Sequence, residues 1–115
     1  MLSKHEIESL KRNGYVGLGQ LLSTSEVRAV NQRIDELIST EGENAGSEVV
    51  DSKYIRHPKE AGADRLADLV NKGPVFDQFY THPKVLSAIE AVLGSEYKLS
   101  SLNYRAARPG LGLQK

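Results

Sequence analysis

Residues 97–107 read Tyr-Lys-Leu-Ser-Ser-Leu-Asn-Tyr-Arg-Ala-Ala, a strand-forming run, and this run more than any other feature limits what the chain can fold into. Alternation puts Leu99, Ser101, Asn103, Arg105 and Ala107 on one face and Leu102, Tyr104 and Ala106 on the other. Arg108-Pro109-Gly110 then turns the chain, and no regular element follows before Lys115. A strand presents a row of N–H and C=O groups that need a neighbouring strand. The run therefore requires a sheet, in a chain whose other strong signals are helical.

Those signals begin at the N-terminus. Ser3 and Glu6 form a capping box, with Leu2 and Ile7 placed as a hydrophobic staple, and Gly14 suits a left-handed stop. Tyr15-Val16-Gly17-Leu18 reads as a short strand weakened by its glycine. The capping device then repeats with Ser23 and Glu26 as the box and Leu22 and Val27 as the staple. Val27, Val30, Ile34, Leu37 and Ile38 follow as one apolar stripe, opposed by Arg28, Gln32, Asp35 and Glu36, so this helix lies on a core.

Residues 41–47 have two glycines and no periodicity and read as an exposed loop. Val49-Val50 and Tyr54-Ile55 are candidate strand pieces. Leu66, Leu69 and Val70 have helical spacing within residues 65–70, ended by Asn71-Lys72-Gly73. Pro74 opens a short helix through Tyr80. The next helix starts near Pro83, carries Val85, Leu86, Ile89, Val92 and Leu93 on one face, and stops at Gly94.

Composition removes several classes of function. Fifteen basic residues balance fifteen acidic ones, without a run of either sign. Nucleic acid binding draws on an excess of Lys and Arg to displace counterions, so neither nucleic acid nor an anionic membrane surface is an expected partner. No apolar run is long enough to span a bilayer, and Lys4, Glu6 and Glu8 break the N-terminal ten residues, which therefore read as no signal peptide. The chain reads as soluble and cytoplasmic. It has no cysteine, so disulfides, thiolate metal sites and cysteine nucleophiles are excluded. A chain of this size buries roughly 65% of its unfolded surface, enough for one modest domain.

The chemistry-bearing residues are sparse. His5, His57 and His82 show no spacing that joins two imidazoles on one metal; His57, beside Arg56 and Pro58, is the one best placed to line a site. Asp64 and Asp68, four apart on the expected helix, read as a solvated face more readily than as a pair of metal ligands. Gly14, Gly17 and Gly19 reverse the order of the dinucleotide-binding fingerprint, and Gly110 and Gly112 have no helix after them to receive a phosphate. Asn103 and Arg105 stand out because polar residues on a strand face need partners. Solvent or a neighbouring carboxylate satisfies them on one reading, and an anionic ligand on another.

Taken in order, a short helix runs into Gly14-Tyr15-Val16, Leu21-Leu22-Ser23 opens a second helix, and Pro74-Val75-Phe76 follows. The helix that starts at His82-Pro83-Lys84-Val85-Leu86 is closed by Leu93-Gly94, and the strand ends in Arg108-Pro109-Gly110. This order and spacing resembles the N-terminal part of the phytanoyl-CoA dioxygenase family, iron(II)/2-oxoglutarate oxygenases built on a double-stranded β-helix. In that family the loop after Pro-Gly leads into a His-x-Asp motif that supplies two of the three iron ligands.

The resemblance implies an α+β portion, residues 1–115, in which N-terminal helices pack on the first strands of an incomplete jelly-roll. The parent enzyme would use iron(II), dioxygen and 2-oxoglutarate to oxidise a small organic substrate. No catalytic or metal-ligating residue is assigned here, so the 115 residues alone are expected to be inert and to bind neither cofactor. Asn103 and Arg105 correspond to the strand that lines the barrel and contributes to the cosubstrate or substrate wall. Arg108 stands where relatives often carry lysine and is the third candidate for contact with 2-oxoglutarate. Two alternatives stay open: a non-catalytic helical module that binds a protein or a second copy of itself, and a small-anion binder acting through Arg105 and Arg108.

Overall fold

A computed structural model describes residues 1–46 and 63–110. Among these residues, four helices, α1 (Lys4–Asn13), α2 (Thr24–Glu41), α3 (Gln78–Thr81) and α4 (Pro83–Leu93), accompany two strands, β1 (Ala63–Leu66) and β2 (Tyr104–Ala107). Short 3₁₀ turns occupy Gly42–Asn44, Leu69–Asn71 and Pro74–Phe76. The architecture is mixed helix and sheet, in keeping with an α+β chain.

Both capping boxes form as read. Ser3 Oγ accepts from the Glu6 N–H while Glu6 accepts from the Ser3 N–H, at 3.1 and 2.9 Å. Ser23 and Glu26 repeat the arrangement at 3.1 and 2.8 Å. Gly14 closes α1 in the left-handed region at φ 79° and donates to Leu10 O.

These boxes have a pH signature. The Ser23 backbone N–H, followed by its hydroxyl, holds the Glu26 carboxyl below its ordinary value of 4.5, and the Ser3 backbone does the same for Glu6. A depressed carboxylate contributes stability that is fully present above 4.5 and is lost as pH falls through its lower folded value. Glu26→Gln keeps a box hydrogen bond and removes the titration. Urea midpoints measured from about pH 6 to pH 3 are expected to fall less steeply for Glu26→Gln than for the parent; parallel curves would contradict this.

Val30, Ile34 and Leu37 of α2 are buried against Leu66, Leu69 and Phe76, with Ile38, Val75, Phe79, Leu102 and Tyr104 packed around them. Spacing on one helix face puts the three α2 residues over the segment from β1 to the Pro74 turn. Polar contacts hold that seam: Arg33 Nε donates to Lys72 O at 2.8 Å, and the Lys72 ammonium reaches both Glu41 carboxylate oxygens at 2.8 and 3.0 Å. Gly73 lies at φ 136° with Arg33 against it, where an added Cβ would come within 3.3 Å of Arg33 Nε. At the other end of the molecule α1 docks on α4. Leu2 is buried and donates its N–H to Ser87 Oγ at 3.1 Å, and Lys84 pairs with Glu6 at 3.3 Å.

Several expectations are corrected. Residues 15–18 form no strand; Tyr15 is exposed, and among the described residues no strand pairs with this segment. Residues 65–70 form no continuous helix: Ala63–Leu66 is a strand, Asp68 lies in the left-handed region at φ 57°, which no helix continues through, and only a 3₁₀ turn at Leu69–Asn71 follows. Asp64 and Asp68 therefore share no helix face. The strand predicted over residues 97–107 is regular only at Tyr104–Ala107, where β1 supplies a ladder. Residues 42–44 are a 3₁₀ turn and are exposed as read, whereas Gly46 is buried.

The helix at Pro83–Leu93 forms, but none of its residues is fully buried, and Val92 and Leu93 are about two-thirds exposed at 65% and 63%. The strand pieces at Val49-Val50 and Tyr54-Ile55, together with Ser47, His57 and Gly112, lie outside the described residues. No described helix is long and apolar enough to cross a membrane.

Candidate functional site

The two strands run antiparallel, with Ala63 opposite Ala107, Asp64 opposite Ala106, Arg65 opposite Arg105 and Leu66 opposite Tyr104. Alternation then sorts the side chains. Leu66 and Tyr104 join the α2 core, so their face looks toward the helices. Arg65 and Arg105 occupy the other face, away from the helix layer.

Beyond the ladder the chains stay linked. The Leu69 N–H donates to Leu102 O at 3.0 Å, and the Asp68 N–H donates to Asn103 Oδ1 at 3.2 Å. That second bond needs the chain to turn sharply at Asp68, which its positive φ provides. The strain of a non-glycine residue there is offset locally, because Asn71 Nδ2 donates to both Asp68 carboxylate oxygens at 2.9 and 3.0 Å. Asn103 is thereby oriented by its amide oxygen, with its Nδ2 group left as a donor.

The three site residues named from sequence are not all brought together. Asn103 and Arg105 share the outer face and line one hollow of about 160 Å³ with Gly46, Arg65 and Tyr104. Arg108 belongs to the opposite alternation, with Ala106, and its guanidinium clasps Asp64 Oδ1 through Nε at 2.9 Å and through a second nitrogen. That carboxylate raises the Arg108 pKa above its ordinary value, first by hydrogen bonding and then by charge.

Reading from sequence missed Arg65, because the helical spacing of Leu66, Leu69 and Val70 hid the strand. The local signal for it was Ala63-Asp64-Arg65-Leu66, too short for alternation to compete. It also missed Gly46, which closes the hollow. Gly46 has φ 77°, and a Cβ there would stand 3.0 Å from Arg65 Cβ. Gly46→Ala is therefore expected to cost about 1–2 kcal/mol from the left-handed backbone alone, read as a lowered unfolding midpoint. A variant as stable as the parent would show that residue 46 leaves the left-handed region without cost.

His5 is exposed on α1. His82 caps α4, its Nδ1 accepting from the Lys84 N–H at 3.1 Å. It also borders an apolar groove of about 350 Å³ with Leu21, Leu22, Val27, Phe79 and Val85, which accounts for the 42% exposure of Val27 on an otherwise buried stripe. Among the described residues no three His, Asp or Glu side chains converge to hold a metal ion. The described residues therefore do not form an iron site. The guanidinium and amide donors of the sheet face do fit a carboxylate.

The family model described as phytanoyl-CoA dioxygenase (PhyH) matches residues 10–110. The chain belongs to the PhyH family. That match runs from the end of α1 through β2 to the Pro109-Gly110 turn, so the whole sheet and its candidate face lie inside the PhyH region. No curated protein and no solved structure matches the chain.

Proposed function

We propose that the 115 residues are the N-terminal portion of a cytoplasmic iron(II)/2-oxoglutarate-dependent dioxygenase that hydroxylates a small organic substrate. On this reading β1 and β2 open a jelly-roll, and the His-x-Asp motif comes after the Pro109-Gly110 loop. The observation that carries the proposal is the sorting of the sheet faces within a PhyH match. Leu66 and Tyr104 bind the sheet to the helices, and Arg105 lies on the other face with Asn103 beside it; on this reading that face is the one the barrel encloses.

Iron held by two histidines and a carboxylate supplies dioxygen activation when bound. The residues of this chain bind and orient. Arg105 offers a planar, permanently charged partner to a carboxylate. Asn103 adds a fixed amide donor; Arg108 lies on the opposite alternation, paired with Asp64. The test is succinate formation from 2-oxoglutarate with iron(II) and ascorbate. The natural polypeptide is expected to turn over, and the 115-residue chain is not. Stoichiometric decarboxylation by the 115 residues alone would overturn the assignment of the iron ligands to sequence beyond them.

One observation favours a second reading. Val92 and Leu93 at the end of α4, and Leu99 in the segment after it, leave apolar side chains exposed, as a self-association module would. A single defined oligomer that dissociates on dilution, and loses affinity in Val92→Glu, supports that reading. A monomer at every concentration removes it.

A further inference from the structure

Asn13 is the one asparagine of this chain that glycine follows; Asn31, Asn44, Asn71 and Asn103 precede Gln, Ala, Lys and Tyr. A backbone nitrogen can attack the side-chain amide carbon of the residue before it, and glycine leaves that nitrogen open because it carries no side chain. Asn13 and Gly14 are both exposed, at the C-terminal end of α1. Water and hydroxide reach the pair freely.

The fold nevertheless holds the nucleophile. Asn13 is the last helical residue, and the Gly14 N–H donates to Leu10 O at 2.9 Å. The other reacting group is held too, since Asn13 Nδ2 donates to Ser9 Oγ at 3.3 Å, one turn back. Ring closure therefore waits for the last turn of α1 to open. Helix ends open locally at far lower cost than the whole fold.

We infer that Asn13–Gly14 is a deamidation site gated by the last turn of α1. In the open turn the Gly14 nitrogen gives its proton to solvent base and bonds to Asn13 Cγ; the Cγ–Nδ2 bond breaks and ammonia leaves. Water then opens the five-membered imide at either carbonyl, giving aspartate or isoaspartate. No oxidant or cofactor enters, and the inference stands apart from the oxygenase reading.

The product places a carboxylate at the end of α1 where free carbonyls already set negative charge. Isoaspartate also adds a backbone methylene just ahead of the glycine stop. Modified α1 is thus expected to hold its cap, and its dock on α4 through Leu2 and Ser87, more weakly.

The purified protein is incubated at mildly alkaline pH, native and in urea, and sampled by peptide mass mapping. Acid forms are expected at Asn13 ahead of the other four asparagines, and about tenfold more slowly in the native protein than in urea. Asn13→Gln removes that product. Lys11→Gly, at an exposed position of the same turn, weakens the helix through propensity alone. It is expected to raise native deamidation and Gly14 amide exchange together, about fivefold each. Circular dichroism checks that it folds; should it fail to, Arg12→Gly replaces it.

Another asparagine reacting first overturns the site. Native deamidation as fast as in urea while the Gly14 amide stays protected overturns the gate. So does a folded variant in which Gly14 exchange rises and deamidation does not.

Discussion

Phe76→Ala is expected to lower folding stability by about 3–5 kcal/mol, the range for emptying a fully enclosed aromatic site. Phe76 has 0% of its surface exposed and sits among Val30, Ile34, Leu37, Leu66 and Leu69. The 3₁₀ turn Pro74–Phe76 delivers the ring, and the Arg33–Lys72 contact fixes that turn against α2. Collapse around the cavity is limited, because α2 on one side and β1 on the other are both tied by polar bonds. Domains of this kind have only about 5–15 kcal/mol in total, so the variant is expected to be partly unfolded at room temperature. Urea unfolding with an unchanged slope and a much lower midpoint checks this. A loss under about 1 kcal/mol would mean that the helix layer and the sheet do not share one core.

The second large effect is expected at Leu66. Its side chain is 1% exposed and links β1 to the α2 stripe, so Leu66→Ala should cost about 2–5 kcal/mol. Leu66 also fixes the phase of its strand: with Leu66 held toward the helices, Arg65 must point away from them. The variant is therefore expected to lose order at Arg65 and Asn103 as well as stability. Amide exchange at Leu69, whose N–H is bonded to Leu102 O, reports on this directly. Faster exchange there than at the α1 amides is the expected pattern; uniform acceleration along the chain would show general unfolding in its place.

How much of this was legible beforehand depended on the range of the interactions involved. The two capping boxes, the Gly14 stop and the helix at Pro83–Leu93 were readable because their signals lie within four residues of one another. The strand at Ala63–Leu66 was not, because it exists through pairing with residues some forty positions later in the chain. Local spacing of Leu66, Leu69 and Val70 pointed to a helix, and tertiary pairing overrode it.

The same long-range pairing hid the candidate site. Asn103 and Arg105 were visible as polar residues on one strand face, but Arg65 becomes their neighbour only once the register is known. Arg108 was placed by motif position, and its hold on Asp64 follows from the same ladder. Val92 and Leu93 fit an apolar stripe in sequence and yet stay exposed, since periodicity shows which face is apolar and not what covers it.

The central claim is that this scaffold precedes the metal-binding half of a PhyH oxygenase. Intact mass of the natural polypeptide, with fragmentation to read its C-terminus, tests it most directly. The account predicts a mass above 12.6 kDa, with a His-x-Asp or His-x-Glu soon after Lys115. A natural polypeptide of 12.6 kDa that ends at Lys115 would contradict it and leave the sheet face as a binding site without an oxygenase.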